Sequence, residues 1–376
     1  MRPRVWVLVD DRPGSTSQSL GLAEALGLPF AVKRLAFGPF ARLHNRVLDR
    51  RGGSLSGLRR AESSPLEAPW PDLVIAAGRR TAPVAQWIRR AAGGGPRLVQ
   101  LGRKGGDDAG RFDLCITPAY GRVHPHPNRV VVRAPLHALK RERLAAAAAR
   151  LEPRLAAQPA PRIGALVGGR SGQYWMDARV ARELGRDLAG FAARRGASLL
   201  VTTSRRTGGA ATRALRDALP ASAYLHVWRP DDPDDVYAAI LGLGQEIVAT
   251  ADSESMLSEA LASERPLHIY PLPERASFAW LGLLREAVAR RAGPRPQARA
   301  RGLRGLASRS IERGFVRPTR DLAQLHDELV ERGLAVRFGD PWPARPARPI
   351  AELERVAERV RRLLEPEGAT HSPPVP

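Results

Sequence analysis

Short apolar runs alternate with amphipathic stretches along most of the chain. The runs are continuous rather than interleaved with polar residues, which is typical of strands covered on both faces of a parallel sheet. In the first part of the chain this pattern predicts strands and helices in alternation. The strands are Val5–Val9, Ala31–Leu35, Leu73–Ala77, Arg97–Leu101, Leu114–Thr117 and Val130–Arg133, and the helices are Ser17–Leu26, Ala41–Leu48, Thr81–Ala92 and Leu136–Leu155.

The pattern stops at the proline-rich stretch Gln158–Pro161 and then restarts. The strands of the second series are Ile163–Val167, Ser198–Thr203, Tyr224–Trp228, Ile247–Thr250 and Leu267–Tyr270, and its helices are Asp177–Arg194, Ala210–Leu219, Val236–Leu243 and Ser255–Ser263. Two successive series of this kind predict an α/β protein. We expect two doubly wound, Rossmann-like domains, residues 1–157 and 158–289, that face each other across a cleft.

Positive charge is unevenly distributed. Lys and Arg number 60 against 38 Asp and Glu, a formal net charge of +22, which favours polyanionic partners. Residues 290–320 contain ten arginines and one acidic residue, with little apolar periodicity. We expect a solvated, partly mobile insertion there; the alternative is an arm that binds anionic lipid or another polyanion. Beyond it, residues 321–364 include a predicted helix at Ile350–Leu364, and we expect residues 365–376 to be disordered.

Several classes of protein are excluded by what the chain lacks. A single cysteine, Cys115, excludes an internal disulfide and a multi-cysteine zinc site. Zincin, CxxC redox, α/β-hydrolase and Walker motifs are absent, and no GxGxxG follows the first strand. No apolar run approaches the roughly 18–20 residues of a membrane span, and the N-terminus resembles a strand rather than a signal peptide. We therefore expect a cytoplasmic protein, with peripheral contact to the inner membrane as an open alternative.

The strongest candidate chemistry lies after three strands of the second series. Gly168 and Gly169 follow the first, and glycine allows backbone amides to approach an anion closely. The other two strands end in hydroxyl, basic and acidic residues: Ser204, Arg205 and Arg206 in one segment, and Asp252, Ser253 and Ser255 in the other. Ligands bind at the carboxyl ends of parallel strands, and a helix start suits a diphosphate. Taken singly, each segment would also serve as a turn, a helix cap or a solvated charge.

Two further groups extend this candidate site. Glu259 stands four residues after Ser255, so both share a helix face, and Glu259 is placed to accept hydrogen bonds from a ribose; the alternative is a surface glutamate. In the first domain Asp10 and Asp11 follow the first strand, where either is expected to act as a base, and the alternative is a turn with a helix cap. Further candidates on this side are Arg12, Gly14, Gln18, Gly78 and Arg79, with a weaker repeat at Gly102–Gly105.

Several segments resemble one known family. The runs LVDDRPGSTSQSLGLAEALG, PDLVIAAGRRTAP, ALVGGRSGQYWM, LLVTTSRRT and IVATADSESMLSEA are similar to the mitochondrial-fission ELM-like family, whose bacterial members are treated as glycosyltransferases of GT-B-like fold. The resemblance covers about residues 4–290. It implies a nucleotide-sugar donor in the second domain, held by the strand-end residues and Glu259, with the first-domain candidates opposite. It also implies that Ile350–Leu364 returns to the first domain.

We therefore expect a GT-B-like glycosyltransferase that uses a nucleotide-sugar as co-substrate, without a metal ion or another cofactor. The expected acceptor is a lipid-linked or lipopolysaccharide-core sugar at the inner face of the membrane. The alternative is a non-catalytic, membrane-associated adaptor that retains the GT-B-like frame and uses residues 290–320 as its working surface. Nucleic-acid binding would rest on charge alone, because the sequence has no interleaved aromatic platform.

Overall fold

The computed structural model describes most of the chain. The described residues are 2–43, 45–48, 53–102, 109–230, 234–274, 276–295, 299–312, 315–316, 321–343, 350 and 352–365. Expectations for 103–105, for parts of 290–320 and for 366–376 lie outside this range.

The first half of the chain forms a parallel sheet of six strands. They are β1 (Val5–Val9), β2 (Phe30–Arg34), β3 (Leu73–Ala77), β4 (Arg97–Leu101), β5 (Leu114–Pro118) and β6 (Arg129–Val132). Their order is β2-β1-β3-β4-β5-β6, and β1, β3 and β5 are buried along their whole length. The helices of this half are α1 (Pro13–Leu26), α2 (Asn45–Leu48) and α3 (Gly78–Ala91).

The second half forms another parallel sheet of six strands. They are β7 (Arg162–Leu166), β8 (Ser198–Thr202), β9 (Tyr224–His226), β10 (Glu246–Thr250), β11 (Leu267–Tyr270) and β12 (Val336–Arg337), in the order β12-β11-β10-β7-β8-β9. The remaining helices are α4 (Arg141–Leu151), α5 (Ala178–Ala193), α6 (Gly209–Ala218), α7 (Val236–Leu243), α8 (Glu254–Ala260), α9 (Ala276–Ala292), α10 (Gly302–Glu312), α11 (Leu322–Glu331) and α12 (Leu353–Arg361). The expected α/β class with two doubly wound domains is confirmed.

Each sheet has one point at which the chain reverses its direction of travel across the sheet. In the first sheet, β1 has β2 on one side and β3 on the other. In the second sheet, β7 lies between β8 and β10 in the same manner. The crevice at such a switch point, outside the carboxyl ends of the strands, is where open α/β sheets bind ligands.

Helix α1 begins four residues earlier than the pattern predicts. Pro13 occupies its first turn, where a missing amide hydrogen is harmless and the fixed backbone angle suits a helix. The helix ends at Gly27, whose φ of +67° gives the left-handed cap that favours glycine. The early start brings the N-terminus of α1 directly to the end of β1.

The alanine-rich stretch differs from the expected Leu136–Leu155 helix. Leu136, Ala138 and Leu139 are buried in an extended segment, where the amide of Ala138 donates to Ser17 Oγ at 3.2 Å, so α4 begins only at Arg141. The carbonyl of Leu144 lies only 2.7 Å from where a Cβ on Gly242 of α7 would stand. Helix α4 therefore packs on the second domain, although the sequence analysis assigned it to the first.

The chain end crosses back to the first domain. Val356, Ala357 and Val360 of α12 are fully buried in the same apolar cluster as the inner face of α1. Arg361 Nη2 donates to the carbonyl of Ala25 at 2.6 Å. After the second sheet, the chain therefore returns to the first domain at α12.

Part of the arginine-rich region forms a helix that the sequence pattern did not indicate. Helix α10 packs on α9 through Ala292, Ala307 and Ile311, which form a small apolar cluster. Its inward positions include Gly305 and Ser308, which carry no strong apolar signal, so the helical period is weak in the sequence. No helix in the described ranges is long and apolar enough to cross a membrane.

Candidate functional site

The three predicted strand ends of the second domain are neighbours. Strands β10, β7 and β8 are adjacent in the sheet. The amide of Gly168 donates to Thr250 Oγ1 at 2.8 Å, and Ser204 Oγ donates to the carbonyl of Gly168 at 2.8 Å. The segments after the three strands therefore form one hydrogen-bonded cluster at the switch point.

Asp252 lies at the centre of this cluster and is fully buried. Its carboxylate accepts hydrogen bonds from the amide of Gly169 at 3.0 Å, from Thr250 Oγ1 at 2.7 Å and from Arg206 Nη2 at 2.8 Å. A carboxylate satisfied in this way has no hydrogen to offer a phosphate. Asp252, predicted as a donor-binding residue, positions the loops around it.

The glycines after β7 serve a different purpose from the predicted one. The amides of Gly168 and Gly169 are already bonded, and the next amide, that of Arg170, donates to the carbonyl of Arg206 at 3.2 Å. These amides are not free to bind an anion. Glycine is required instead for packing, because a Cβ on Gly168 would lie 2.1 Å from Asp252 Oδ1.

The two arginines after β8 differ in their roles. Arg206 pairs with Asp252, and its Nε is buried with no hydrogen-bond partner among the described residues. Arg205 is exposed, and its Nη1 lies 4.0 Å from Asp11 Oδ2 in the first domain. Arg205 is therefore the residue that faces across the cleft.

The two aspartates after β1 also differ. The Asp10 side chain is buried and accepts two hydrogen bonds from Arg80, at 3.0 Å from Nε and 2.7 Å from Nη2. Asp11 is 65% exposed and also accepts from Arg80. Burial acts to raise the pKa of Asp11, but the hydrogen bond and charge of Arg80, together with Arg205, outweigh it and lower that pKa. Only Asp11 has its carboxylate directed toward the second domain.

Positive charge exceeds negative charge around these aspartates. Burial lowers the pKa of the Arg12 guanidinium, and the nearby charges of Arg80 and Arg205 lower it further. Arg12 also occupies the N-cap position of α1, where no side chain caps the helix. The first-turn amides of a helix have no intrahelical acceptor and carry partial positive charge. The crevice thus presents three guanidinium groups and a helix N-terminus to two carboxylates.

The N-termini of α1 and α8 meet between the domains. A Cβ on Gly14 would lie 2.4 Å from Ser255 Oγ, so the two helix starts are in direct contact. Ser253 caps α8 by accepting from the amide of Met256 at 3.5 Å. The ends of β3 and β4 complete this side, since Gly78 lies against Ser15 and Gly102 against Gln18. The structure therefore brings Gly14, Gln18, Gly78 and Ser255 together.

Glu259 is buried in a contact between the domains. It accepts a hydrogen bond from Tyr237 Oη at 2.9 Å and another from the hydroxyl of Ser17 on α1. Burial raises the pKa of Glu259 above its ordinary value, and these two hydrogen bonds only partly oppose the rise. Its predicted contact with a ribose remains a prediction.

Sequence reasoning missed Arg80, Ser17 and Tyr237 and misplaced Arg79. The Arg79 guanidinium donates to the carbonyls of Ala41 and Leu43, away from Asp10. The adjacent arginines in the segment after β3 were a signal that one of them serves the site. Tyr237 and Ser17 gave no signal, because their partner lies on another helix. Among the described residues, no group of three His, Cys, Asp or Glu could hold a metal ion.

Sequence comparison finds relatives of this chain. Residues 13–281 match the family model described as Mitochondrial fission ELM1. Mitochondrial fission protein ELM1 of Arabidopsis thaliana is 27% identical over 54% of this chain and 52% of its own length. Uncharacterized protein RP120 of Rickettsia prowazekii (strain Madrid E) is 24% identical over 72% of this chain and 83% of its own length. The match spans about half of the Arabidopsis relative.

Structure comparison finds proteins with a similar overall arrangement. UDP-GlcNAc 2-epimerase from Methanocaldococcus jannaschii aligns over 96% of this chain and 99% of its own, with a TM-score of 0.46 and 11% sequence identity.

Proposed function

The chain belongs to the mitochondrial fission ELM1 family, and we propose that this member is a GT-B-like glycosyltransferase with a nucleotide-sugar donor. The observation that carries the proposal is the meeting of the two switch points. Arg205 of the second domain comes within 4.0 Å of Asp11 of the first, and Gly14 lies against Ser255. A ligand bound there touches both domains.

The charge at this meeting point suits a diphosphate. Arg12 and Arg205 supply exposed guanidinium groups, and the uncapped N-terminus of α1 adds partial positive charge. The Arg12 side chain is exposed at its surface but partly desolvated within the crevice, and this desolvation and the like charges of Arg80 and Arg205 lower its pKa. A bound anion would relieve the crowding of like charge. In this proposal the guanidinium groups carry the electrostatic role, and no metal ion is invoked.

The reaction needs one base and one stabilised leaving group. The acceptor hydroxyl oxygen bonds to the anomeric carbon of the donor sugar, while the bond from that carbon to the diphosphate oxygen breaks. The nucleoside diphosphate leaves with the bonding electrons, and Arg205 and Arg12 stabilise its charge. The hydroxyl proton passes to Asp11. Asp10 is less suited to this role, because its side chain is only 3% exposed, whereas the Asp11 side chain is 65% exposed and can be reached by an acceptor.

The proposed acceptor is a lipid-linked or lipopolysaccharide-core sugar. Support comes from the net charge of +22, which draws the protein toward anionic surfaces. A second candidate, a non-catalytic adaptor, is favoured by one observation: the amides after β7 are bonded within the protein rather than free for a ligand.

Thermal-shift measurement with UDP-, GDP-, ADP- and CMP-linked sugars tests the proposal. At least one is expected to raise the melting temperature, since a ligand that binds only the folded state stabilises it. Arg205→Ala is expected to weaken that binding about tenfold or more, because a hydrogen bond to a charged group contributes roughly 1.5–3 kcal/mol. The matched control is Arg216→Ala, which removes the same charge from an exposed position on α6.

The thermal-shift results distinguish the two candidate functions and test the proposed site. No shift with any nucleotide-sugar would contradict the glycosyltransferase proposal and favour the adaptor. A shift that Arg205→Ala and Arg216→Ala reduce equally would contradict the proposed site.

A further inference from the structure

The outer surfaces of α9 and α10 carry large apolar side chains. Leu283 and Leu284 on α9 are 67% and 56% exposed, and Leu303 and Leu306 on α10 are 63% and 55% exposed. We call these four residues the leucine patch. Four exposed leucines on two packed helices are unusual on a protein surface and indicate an interaction site.

The two helices pack through one small apolar cluster and leave their leucines exposed. Small residues such as Ala292 and Ala307 are buried between the helices, while the leucines face outward. Leu303 and Leu306 are three residues apart and therefore share one helix face. The exposed face of α9 runs from its two leucines to Arg290 and Arg291 within about one third of the helix circumference.

Exposed arginines lie on the same two helices as the leucine patch and on the segment that connects them. Within the described parts of α9, α10 and their connection, seven arginines are exposed: Arg285, Arg290, Arg291, Arg295, Arg299, Arg301 and Arg304. Two carboxylates are close by in the sequence, Glu286 and Glu312. Glu286 is already engaged by Arg122, at 2.6 Å and 2.8 Å, and lies 3.6 Å from Arg290. The surface therefore combines apolar side chains with a strong positive excess.

This helical pair is fixed to the first domain. The bidentate pair of Arg122 with Glu286 joins α9 to the segment after β5. His124 Nε2 also lies 3.1 Å from the carbonyl of Gly293. A partner bound to the leucine patch is thus held at a fixed place on the first domain.

We propose that the leucine patch and its arginines dock this protein on an anionic phospholipid bilayer. The leucines enter the boundary between headgroups and acyl chains, and the arginines bind lipid phosphates. Charge complementarity favours this occupant over a second copy of the chain, which would bring two positive surfaces together. A nucleic acid would satisfy the arginines but would leave the four leucines exposed to water. The proposal does not depend on nucleotide-sugar binding.

The test is sedimentation of the full chain with vesicles of phosphatidylcholine alone or of equal parts phosphatidylcholine and phosphatidylglycerol. Binding is expected only to the anionic vesicles and is expected to weaken with added salt. Leu303→Gln with Leu306→Gln is expected to reduce binding at least tenfold. Arg301→Ala with Arg304→Ala is expected to reduce it about 25-fold, since each arginine near an anionic surface contributes about fivefold.

The controls match each substitution. Phe40→Gln alters a residue that is 66% exposed but lies outside the leucine patch, and Arg213→Ala with Arg216→Ala removes two exposed arginines from α6. Both controls are expected to bind as the unaltered chain does, and melting temperatures verify that each variant is folded. Unchanged vesicle binding by the leucine variant, or equal losses in the controls, would overturn the proposal. The proposal would also be overturned if the protein bound no vesicles and instead associated with itself through the leucines or bound DNA.

Discussion

The ion pair between Arg206 and Asp252 yields a prediction about the free energy of unfolding. In Arg206→Ala, the fully buried Asp252 carboxylate keeps two neutral donors, Gly169 and Thr250, but loses its cation. Removing one partner of a buried pair costs about 3–5 kcal/mol. We expect about 3 kcal/mol, because the Arg206 side chain is 35% exposed and water can enter the space it leaves.

The second substitution, Asp252→Asn, is expected to rescue the first. Asparagine retains an oxygen for the amide of Gly169, and its NH₂ group can donate to Thr250 Oγ1, so alone it costs about 1–2 kcal/mol. With Arg206→Ala already present, Asp252→Asn removes the uncompensated charge. The double variant is therefore expected to be more stable than Arg206→Ala alone, by about 1–2 kcal/mol.

Urea unfolding followed by tryptophan fluorescence measures these differences. Arg205→Ala is the matched control, because it removes a neighbouring exposed arginine and is expected to change stability by no more than about 0.5 kcal/mol. A double variant no more stable than Arg206→Ala, or an Arg206→Ala variant as stable as Arg205→Ala, would refute this role of the ion pair. Because Arg206 has this structural role, Arg205 is the cleaner probe of ligand binding.

Three further predictions concern other parts of the site. Gly168→Ala is expected to destabilise the protein by about 1–3 kcal/mol in urea unfolding, because its Cβ would overlap Asp252, whereas Gly209→Ala on α6 meets only ordinary contacts and is expected to change little. The raised pKa of Glu259 means that the folded state favours its protonated form. Protonation of Glu259 therefore stabilises the folded state fully below pH 4.5, and this stabilisation is lost as the pH rises through the raised pKa. In Glu259→Gln the free energy of unfolding is expected not to show this loss as the pH rises. The same pH dependence of unfolding in the variant and in the unaltered chain would contradict this expectation. Asp11→Asn is expected to lower the rate of sugar transfer about 100-fold or more with little change in donor binding. An equal loss in transfer rate and in donor binding would show that Asp11 binds the donor and does not act as the base.

The sequence predicted most of the fold because its strands are marked by continuous apolar runs. Strands β1, β3, β4 and β11 have the predicted bounds, since each run begins and ends sharply. The pattern could not predict β12, whose two residues are too few for a period. It also missed α10, because the inward face of that helix is built partly from glycine, alanine and serine.

The site was predictable only as far as topology determines it. Strand ends that carry polar residues must lie at the same edge of a parallel sheet, and the clusters after β7, β8 and β10 are adjacent as expected. The pattern could not indicate that the amides of Gly168 and Gly169 donate hydrogen bonds to side chains of the protein itself. Nor could it distinguish Arg79 from Arg80, since consecutive residues of a helix point about 100° apart.

Glu259 shows how contacts that the sequence pattern cannot predict affect ligand binding. Its spacing from Ser255 predicted that the two residues share a face of α8, and both contact α1. Its partners Ser17 and Tyr237 come from distant parts of the chain. Because Glu259 is only 9% exposed, a ribose can reach its carboxylate only by displacing at least one of these hydroxyls. Exchange of one hydrogen bond for another changes the free energy by only about 1 kcal/mol, which binding of a nucleotide easily exceeds. Because Ser17 lies on α1, we expect such an exchange also to release one contact between the domains, which would couple donor binding to the relative position of the domains.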